Sequence, residues 1–316
     1  MESAYFKYLR YTKSLKWTKY LLSRSVPITD FKYEKSSDTI YIRSVNHFFS
    51  SGDFPVFFDG YRKYCWKFLD NGFKFVFENN NMFLKINELT IKVETLEELF
   101  IVNEVFLENM YKIESKSEYI FFDIGMNVGI TSLYLSQFDH IKKIYAFEPL
   151  KPTFDCAKIN IMLNKKYISK IEAFNFGLSK SDQIVDVAFN PLSKGNVGIK
   201  NNGIELLATK HRERIELKEA GKLLQGIIDN HPSGNFLVKL DCEGSEYDII
   251  ENLVNSAMLP LFNIFMIEWH KMDSYKTRLN NLIKAFRENN FLVLTIGSLE
   301  KETGMIYCIT NRGDVQ

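Results

Sequence analysis

From residue 118 onward, short apolar runs alternate with amphipathic segments. The first five runs are "EYIFFD", "KIYAFE", "IEAFNF", "FLVKLD" and "NIFMIE". Continuous apolar runs separated by helical segments are typical of parallel strands that are buried on both faces. Two more runs, "FLVLTI" and "MIYCIT", are joined by a short loop and therefore predict an antiparallel pair. We expect an α/β fold, a seven-stranded sheet of five parallel strands plus a C-terminal antiparallel hairpin. The helix "RLNNLIKAFRENN" before the hairpin carries one apolar face, formed by Leu279, Leu282, Ile283 and Phe286.

The first third has a less regular pattern, which predicts a small α+β cap. The stretch "FKFVFENNNMFLKI" alternates like two strands around an Asn79-Asn80-Asn81 turn. The segment "TLEELFIVNEVFLENMY" predicts a helix that begins with a capping box of Thr95 and Glu98. We therefore expect an accessory region over residues 1–117 and the main domain over residues 118–316.

Residues 3–23 predict an N-terminal helix in which aromatic and basic side chains are mixed. Its lysines and arginine are spread around the helix instead of forming one basic face. Two interpretations stay open. In the first, the helix docks on the body of the protein or on a partner chain. In the second, it attaches to an anionic membrane surface.

Composition narrows the function classes. The chain has 316 residues, 40 Lys and Arg against 39 Asp and Glu, and a net charge of +1, which argues against a dedicated nucleic-acid binder. Its four cysteines form no CxxC pair, so neither a zinc site nor a thioredoxin motif is predicted, and a reducing compartment fits. No signal peptide and no membrane-spanning run is found. The expected location is the cytoplasm, and contact with the inner face of the membrane is a second possibility.

The stretch "FFDIGMNVGITSLYLS" joins an apolar strand to a helix through a turn that contains Asp123, Gly125, Asn127 and Gly129. A strand, a glycine turn and a helix in this order typically bind a nucleotide-like ligand. Glu148 ends the next strand about 20 residues further on, where an acid can accept both hydroxyls of a ribose.

The turn itself separates the adenosine-type ligands. A dinucleotide turn reads G-x-G-x-x-G and places no acid near the pyrophosphate, whereas this turn reads D-x-G-x-N-x-G, and the chain contains no P-loop. An acid beside the turn suits a cationic ligand such as S-adenosylmethionine, which has an α-ammonium, a sulfonium and no phosphate. The alternative is that Asp123 only caps the following helix.

S-adenosylmethionine is a methyl donor, and if the acceptor is an alcohol, some group must accept the hydroxyl proton. The candidates follow the fourth and fifth strands of the predicted sheet. They are Asp241, Glu243, Glu246, Glu268 and His270. Asp241 is the first choice, and His270 is the second because a neutral imidazole accepts a proton near pH 7. Glu246 begins a helix, where the dipole favours a carboxylate even without a ligand. Glu243, Glu246 and Glu268 are also candidates for binding the substrate.

Two further expectations concern the acceptor side. The acids could bind Mg²⁺, but they could equally bind hydroxyls directly, and no metal is expected. Residues 189–207 are rich in Asn, Gly and Ser, and they predict a loop over the site, with Asn196 as a candidate substrate contact.

Three segments resemble the FkbM-type family of class I S-adenosylmethionine-dependent methyltransferases. They are "FFDIGMNVGITSLYLS" with "YAFEPLKPTFDCAKINIMLN", then "VKLDCEGSEYDII", and then "FMIEWH". The resemblance implies transfer of a methyl group to oxygen, often on a sugar or a natural product. It implies cofactor contacts from Asp123, Gly125, Asn127 and Gly129, a ribose contact from Glu148, an adenine border at Gly177 and Leu178, and a place for Asp241 beside the methyl group.

The expected function is therefore O-methylation of a saccharide or glycan precursor. A lipid, a protein or another natural product is the alternative acceptor. Amino-methylating enzymes of nucleic acids typically carry Asn/Asp-Pro-Pro-aromatic after strand four, where this chain has "DCEGSE". An NAD-linked oxidoreductase is disfavoured by the acidic turn, and a non-catalytic binding subunit by the intact turn and ribose acid.

Overall fold

The computed structural model describes residues 3–189, 212–271, 275–297 and 303–310, and within it the chain divides into two units, Met1–Asn109 and Met110–Gln316. Met110 lies with the second unit because its carbonyl oxygen accepts a hydrogen bond from the Tyr307 hydroxyl (2.7 Å). The accessory role of the first unit stays a prediction.

The first unit is an α+β arrangement with two three-stranded antiparallel sheets. Its strands are β1 (Phe31–Glu34), β2 (Thr39–Ile42) and β3 (His47–Phe49) in one sheet, and β4 (Lys74–Glu78), β5 (Asn81–Ile86) and β6 (Leu89–Val93) in the other. Its helices are α1 (Ala4–Thr12), α2 (Leu15–Ser23), α3 (Pro55–Asp59), α4 (Trp66–Asp70) and α5 (Leu96–Val102), and π-helical turns lie at Tyr61–Cys65 and Asn103–Leu107.

Local sequence signals in this unit are confirmed at two places and wrong at one. Asn79 (φ 50°) and Asn80 (φ 61°) form the left-handed turn between β4 and β5, and the capping box at Thr95 is present. The prediction of a single N-terminal helix is wrong, because Lys13 (φ 50°) ends α1 in the left-handed region and the Ser14 side chain caps α2. Trp17 of α2 is buried, and its indole donates to the Asp38 carboxylate (2.9 Å), which docks α2 on the β1–β2 turn.

The second unit contains the predicted seven-stranded sheet. Its strands are β7 (Tyr119–Ile124), β8 (Ile141–Phe147), β9 (Ile171–Phe174), β13 (Asn235–Leu240), β14 (Ile264–His270), β15 (Phe291–Ile296) and β16 (Thr303–Thr310). The spatial order is β15-β16-β14-β13-β7-β8-β9. The neighbours from β9 to β14 are parallel, and β16 is antiparallel to both β14 and β15. The prediction of five parallel strands and an antiparallel terminal hairpin is confirmed.

Helices and a second, smaller sheet complete this unit. The helices are α6 (Ile130–Ser136), α7 (Lys151–Leu163), α8 (Ala220–Ile228), α9 (Glu246–Asn255) and α10 (Tyr275–Glu288). The smaller sheet has the order β10-β12-β11, with β10 at Gly177–Ser179, β11 at Gln183–Ala188 and β12 at Arg212–Glu219. Among the helices of the described ranges, none is long and apolar enough to cross a membrane.

Burial of the apolar strands explains why the sheet forms. Every residue of β7 is buried, and so is the predicted face of α10, at Leu279, Leu282, Ile283 and Phe286. Phe286 packs against Phe265 of β14 and Phe291 of β15, with ring centroids 4.9 and 5.2 Å apart. Each such side chain contributes roughly 1.5–3 kcal/mol when it leaves water.

The strand order reverses between β7 and β13. From β7 the chain proceeds outward through β8 and β9, and it then returns to place β13 on the other side of β7. Ligands of open α/β sheets bind at the carboxyl ends of the strands beside such a switch point. Asp123 lies near the end of β7 and Asp241 directly follows β13, so both are at this edge, beside the reversal.

Candidate active site

The turn from Gly125 to Gly129 is held against both neighbouring strands. Its backbone is left-handed at Gly125 (φ 85°), Asn127 (φ 52°) and Gly129 (φ 83°). The N–H groups of Gly125 and Met126 donate to the Phe147 carbonyl oxygen (3.1 and 2.9 Å). On the other side, a Cβ atom on Gly125 would overlap the carbonyl oxygen of Asp241. Only glycine therefore fits at position 125.

Glu148 connects this turn to the end of β8. Its Oε2 atom accepts from the Asn127 N–H (3.0 Å), and Oε1 accepts from the Leu150 N–H (2.9 Å). Each oxygen keeps a second lone pair, so the carboxylate can still accept two hydroxyl groups. Burial raises the pKa of Glu148 to about 7, although the two N–H donors oppose that rise. This carboxylate fits the ribose of an adenosine-type cofactor.

Lys239 of β13 is a member of the site that the sequence analysis missed. Its ammonium lies 3.4 Å from Asp123 Oδ1 and 3.3 Å from Asp241 Oδ2, and it donates to the Gly125 carbonyl oxygen (2.7 Å). Burial alone would lower the pKa of Lys239, but Asp241 and Asp123 raise it above its usual value. One signal was available, since a lysine in the apolar run "FLVKL" must find a charge partner if the strand is buried.

Asp123 is fully buried and is bound within the protein. Its Oδ2 atom accepts from the Ser132 hydroxyl (2.6 Å), and its Oδ1 atom faces Lys239. Burial raises the pKa of Asp123, and Lys239 opposes that rise. Asp123 thus links β7 to α6 and β13, and its predicted contact with a ligand ammonium stays a prediction.

Across the switch point, Asp241, Glu243 and His270 come together. The His270 Nε2 atom lies 3.6 Å from Glu243 Oε1 and 4.0 Å from Asp241 Oδ1. His270 is the last residue of β14, which extends two residues beyond the strand end predicted at Glu268. Alternation along β14 directs Glu268 and His270 to the same face, and the charge of Glu268 contributes to the raised pKa of Glu243.

Glu246 holds this group of side chains in place. It is fully buried at the start of α9, and its two oxygens accept from the N–H groups of Cys242 (2.6 Å) and Gly244 (2.8 Å). The oxygen bound to Cys242 also faces His270 Nδ1 at 3.1 Å. Both oxygens of this predicted substrate contact are therefore already bound, and Glu246 positions the turn and the imidazole.

The charges of the group favour one proton acceptor. Burial would lower the pKa of His270, but the Glu246, Glu243 and Asp241 carboxylates outweigh burial and raise that pKa to about 10. Burial raises the pKa of Glu243 to about 8. Both raised pKa values favour the protonated forms of His270 and Glu243. Asp241 therefore stays the first candidate for the proton acceptor.

Two further predicted residues belong to β10, and a third is not among the described residues. Gly177 and Leu178 belong to β10, where Leu178 is buried in the core and Gly177 packs on Pro149 and Leu217. Asn196 lies outside the described residues. Contacts of these residues with an adenine or a substrate stay predictions.

The sequence of this chain is similar to those of known proteins. The family described as "Methyltransferase FkbM domain" matches residues 123–293. Methyltransferase 1 of Beauveria bassiana is 28% identical over 173 residues, which cover 50% of this chain and 68% of that protein. Methyltransferase sdnD of Sordaria araneosa is 26% identical over 200 residues, which cover 56% of this chain and 77% of that protein.

Solved structures with a similar arrangement include an FkbM methyltransferase from Methylobacillus flagellatus. It is 14% identical, with a TM-score of 0.44, and the match covers 66% of this chain but only 47% of that one. TrmK of M. capricolum, solved in complex with the cofactor product S-adenosyl-homocysteine, is 16% identical with a TM-score of 0.36, over 65% of this chain and 67% of that one.

Proposed function

Because this chain belongs to the FkbM methyltransferase family and its methyl donor is S-adenosylmethionine, we propose that it is an O-methyltransferase whose acceptor is a hydroxyl group of a saccharide or glycan precursor. The observation that carries the proposal is the position of Asp241 between the two halves of the site. Its carbonyl oxygen packs against Gly125 of the glycine turn, and its carboxylate faces His270 on the other side. This position supports the proposal because it would put a proton acceptor directly beside the turn that we assign to the donor.

When bound, S-adenosylmethionine supplies a methyl group on a positively charged sulfur that is already activated for displacement. Glu148 accepts the two ribose hydroxyls, and the turn at Gly125 lets the backbone approach the ligand closely. Asp241 accepts the proton of the attacking hydroxyl while the carbon–oxygen bond forms and the carbon–sulfur bond breaks. The donor would keep the electron pair of that carbon–sulfur bond and leave as a neutral thioether. Most of the catalysis then comes from orientation and from this proton transfer.

The groups at this edge support the proposed acceptor class. Asp241, Glu243 and Glu268 offer several oxygen acceptors near one another, which suits a ligand with neighbouring hydroxyls. The chain has "DCEGSE" after β13 in place of the Asn/Asp-Pro-Pro-aromatic sequence typical of nucleic-acid amino-methylation. These observations favour an oxygen acceptor, and a lipid, a protein or another natural product is the alternative.

The test is methyl transfer from labelled S-adenosylmethionine to a panel of saccharides, glycolipid precursors, lipids and peptides. We expect label only in hydroxyl-bearing saccharides, at a position that mass spectrometry identifies as an O-methyl ether. Label in a peptide or a lipid, with none in any saccharide, would contradict the acceptor class.

Donor binding is checked separately by thermal unfolding. S-adenosylhomocysteine at about 100 times its Kd should stabilise the fold by about 2.7 kcal/mol, and NADH at the same concentration should not. A shift with NADH alone would contradict the assignment of the glycine turn to S-adenosylmethionine.

A further inference from the structure

We propose that Asp241, Glu243 and His270 form a binding site for one divalent transition-metal ion, with Mn²⁺ and Zn²⁺ as the matching ions. The role of the ion rests on the proposed function, because the ion would hold the hydroxyl oxygen of the acceptor. The existence of the site rests on the geometry of the three side chains. No metal is expected from the sequence alone, and this proposal contradicts that expectation.

The distances between the donor atoms are the first argument. One atom each from Asp241, Glu243 and His270 lie within 4.8 Å of one another. The separations from His270 Nε2, 3.6 Å to Glu243 and 4.0 Å to Asp241, are too long for hydrogen bonds. Two ligands that each lie about 2.1 Å from a shared tetrahedral ion are about 3.4 Å apart. The observed spacing is therefore close to that of atoms arranged around a common ion, and a small contraction would complete the site.

The second argument is the orientation of the imidazole. His270 is only 9% exposed, and within the described part of the chain its Nε2 atom makes no hydrogen bond although it is directed at two carboxylates. Its other nitrogen, Nδ1, is held by the buried carboxylate of Glu246 at 3.1 Å. A carboxylate on the far nitrogen is the usual partner of a histidine that binds metal through Nε2, because it fixes the ring and its tautomer.

Hydrogen bonds hold the residues around the three proposed ligands in place. Glu246 is fully buried and binds the N–H groups of Cys242 and Gly244, which hold the turn that carries Glu243. Cys242 is not directed into the site, since its thiol donates to the Ile124 carbonyl oxygen (3.3 Å). The fixed elements are therefore β14, the start of α9 and the turn between β13 and α9.

The donor set indicates the kind of ion and its use. One imidazole nitrogen and two carboxylate oxygens suit Mn²⁺ or Zn²⁺ better than Mg²⁺, which prefers oxygen ligands alone. Three protein ligands leave positions open for water or for a hydroxyl. An ion in this place would lower the pKa of the bound hydroxyl and would offset the repulsion between Asp241 and Glu243. It would also displace the proton from His270 Nε2, since metal binding requires neutral imidazole.

The test is a Mn²⁺ titration of the purified full-length chain after treatment with a chelator, followed by electron paramagnetic resonance of the free ion. We expect one bound Mn²⁺ per chain, and competition by Zn²⁺. His270→Gln and Glu243→Gln should each lower the affinity at least 100-fold. Glu246→Gln, which acts through the imidazole, should lower it about 10- to 100-fold.

Matched controls lie at the opposite edge of the sheet. His140→Gln and Glu118→Gln make the same chemical changes just before β8 and β7, and both should leave Mn²⁺ binding unchanged. Because the Glu243 side chain is 25% exposed, Glu243→Gln remains informative if a His270 variant does not fold. Binding of S-adenosylhomocysteine to each variant reports that the fold is retained.

Two outcomes would overturn the inference. One is absence of Mn²⁺ and Zn²⁺ binding by a protein that still binds S-adenosylhomocysteine, which would leave the methyltransferase function intact. The other is stoichiometric binding that survives both His270→Gln and Glu243→Gln. Failure to bind S-adenosylhomocysteine would count instead against the proposed function.

Discussion

The carboxylates have different surroundings in the two halves of the site. In the half around the glycine turn, which we assign to the cofactor and call the cofactor half, Asp123 and Glu148 are buried. Asp123 faces the Ser132 hydroxyl and the Lys239 ammonium, and Glu148 accepts from two backbone N–H groups. In the acceptor half, Asp241 and Glu243 crowd around one imidazole at distances longer than hydrogen bonds. The first arrangement is preorganised by contacts within the protein. The second keeps charge available for a ligand.

Lys239 lies between the two halves of the site. It lies between Asp123 of the cofactor half and Asp241 of the acceptor half, at 3.4 and 3.3 Å. One ammonium thereby offsets part of the burial cost of Asp123 and also faces the half-exposed carboxylate of Asp241. The comparison predicts that substitutions in the acceptor half change turnover, whereas substitutions in the cofactor half change stability and cofactor affinity.

The largest expected effect is that of Asp241→Asn on turnover. Loss of the proton acceptor should lower kcat by roughly 10²- to 10⁴-fold. Affinity for S-adenosylhomocysteine should change by less than about tenfold, because the backbone contact with Gly125 is kept. Steady-state kinetics and calorimetric binding measure the two quantities. Retained kcat would transfer the role of proton acceptor to another group.

Lys239→Met tests the cofactor half. It leaves Asp123 buried without a counter-charge, which should cost about 3–5 kcal/mol of unfolding free energy, measured by urea denaturation. The double variant Lys239→Met/Asp123→Asn should recover part of that loss, because it removes the stranded charge. A double variant as unstable as the sum of both single variants would contradict direct coupling.

Gly125→Ala tests the fit between the turn and β13. The left-handed φ and the overlap with the Asp241 carbonyl oxygen should together cost about 2–4 kcal/mol and weaken cofactor binding. Gly226→Ala is the matched control, since Gly226 lies inside α8 with open space around its Cβ position. There the same change should be neutral or stabilising by up to ~1 kcal/mol.

The smallest expected effect concerns pH and Glu148. Its pKa of about 7 means that the carboxylate is charged above that value and protonated below it. The charged form accepts the ribose hydroxyls better, so affinity for S-adenosylhomocysteine should be constant at high pH and should fall up to about tenfold per pH unit below 7. Glu148→Gln should bind more weakly and lose this slope. A slope that persists in Glu148→Gln would assign it to another group, such as Glu243.

Sequence patterns predicted those features that depend on neighbouring residues. The turn at Asn79 and Asn80, the capping box at Thr95 and the apolar face of α10 each arise within a few residues, and all are present. The break between α1 and α2 was missed because a run of aromatic and basic residues continues across Lys13, and only the Ser14 cap marks the new start. The predicted end of the fifth strand, at Glu268, is two residues too early, because β14 continues to His270.

The sequence by itself determined the order of strands and helices, the glycine turn and the acids that follow the strands, because period, turn chemistry and spacing are local properties. Only the tertiary structure decided how those acids are paired. Lys239 reaches Asp123, and Glu246 reaches His270, across more than 20 positions of chain, and the pairing exists only because β13 lies between β7 and β14. Charge compensation depends on distance in space, which falls steeply over a few ångströms, and no local pattern records that distance.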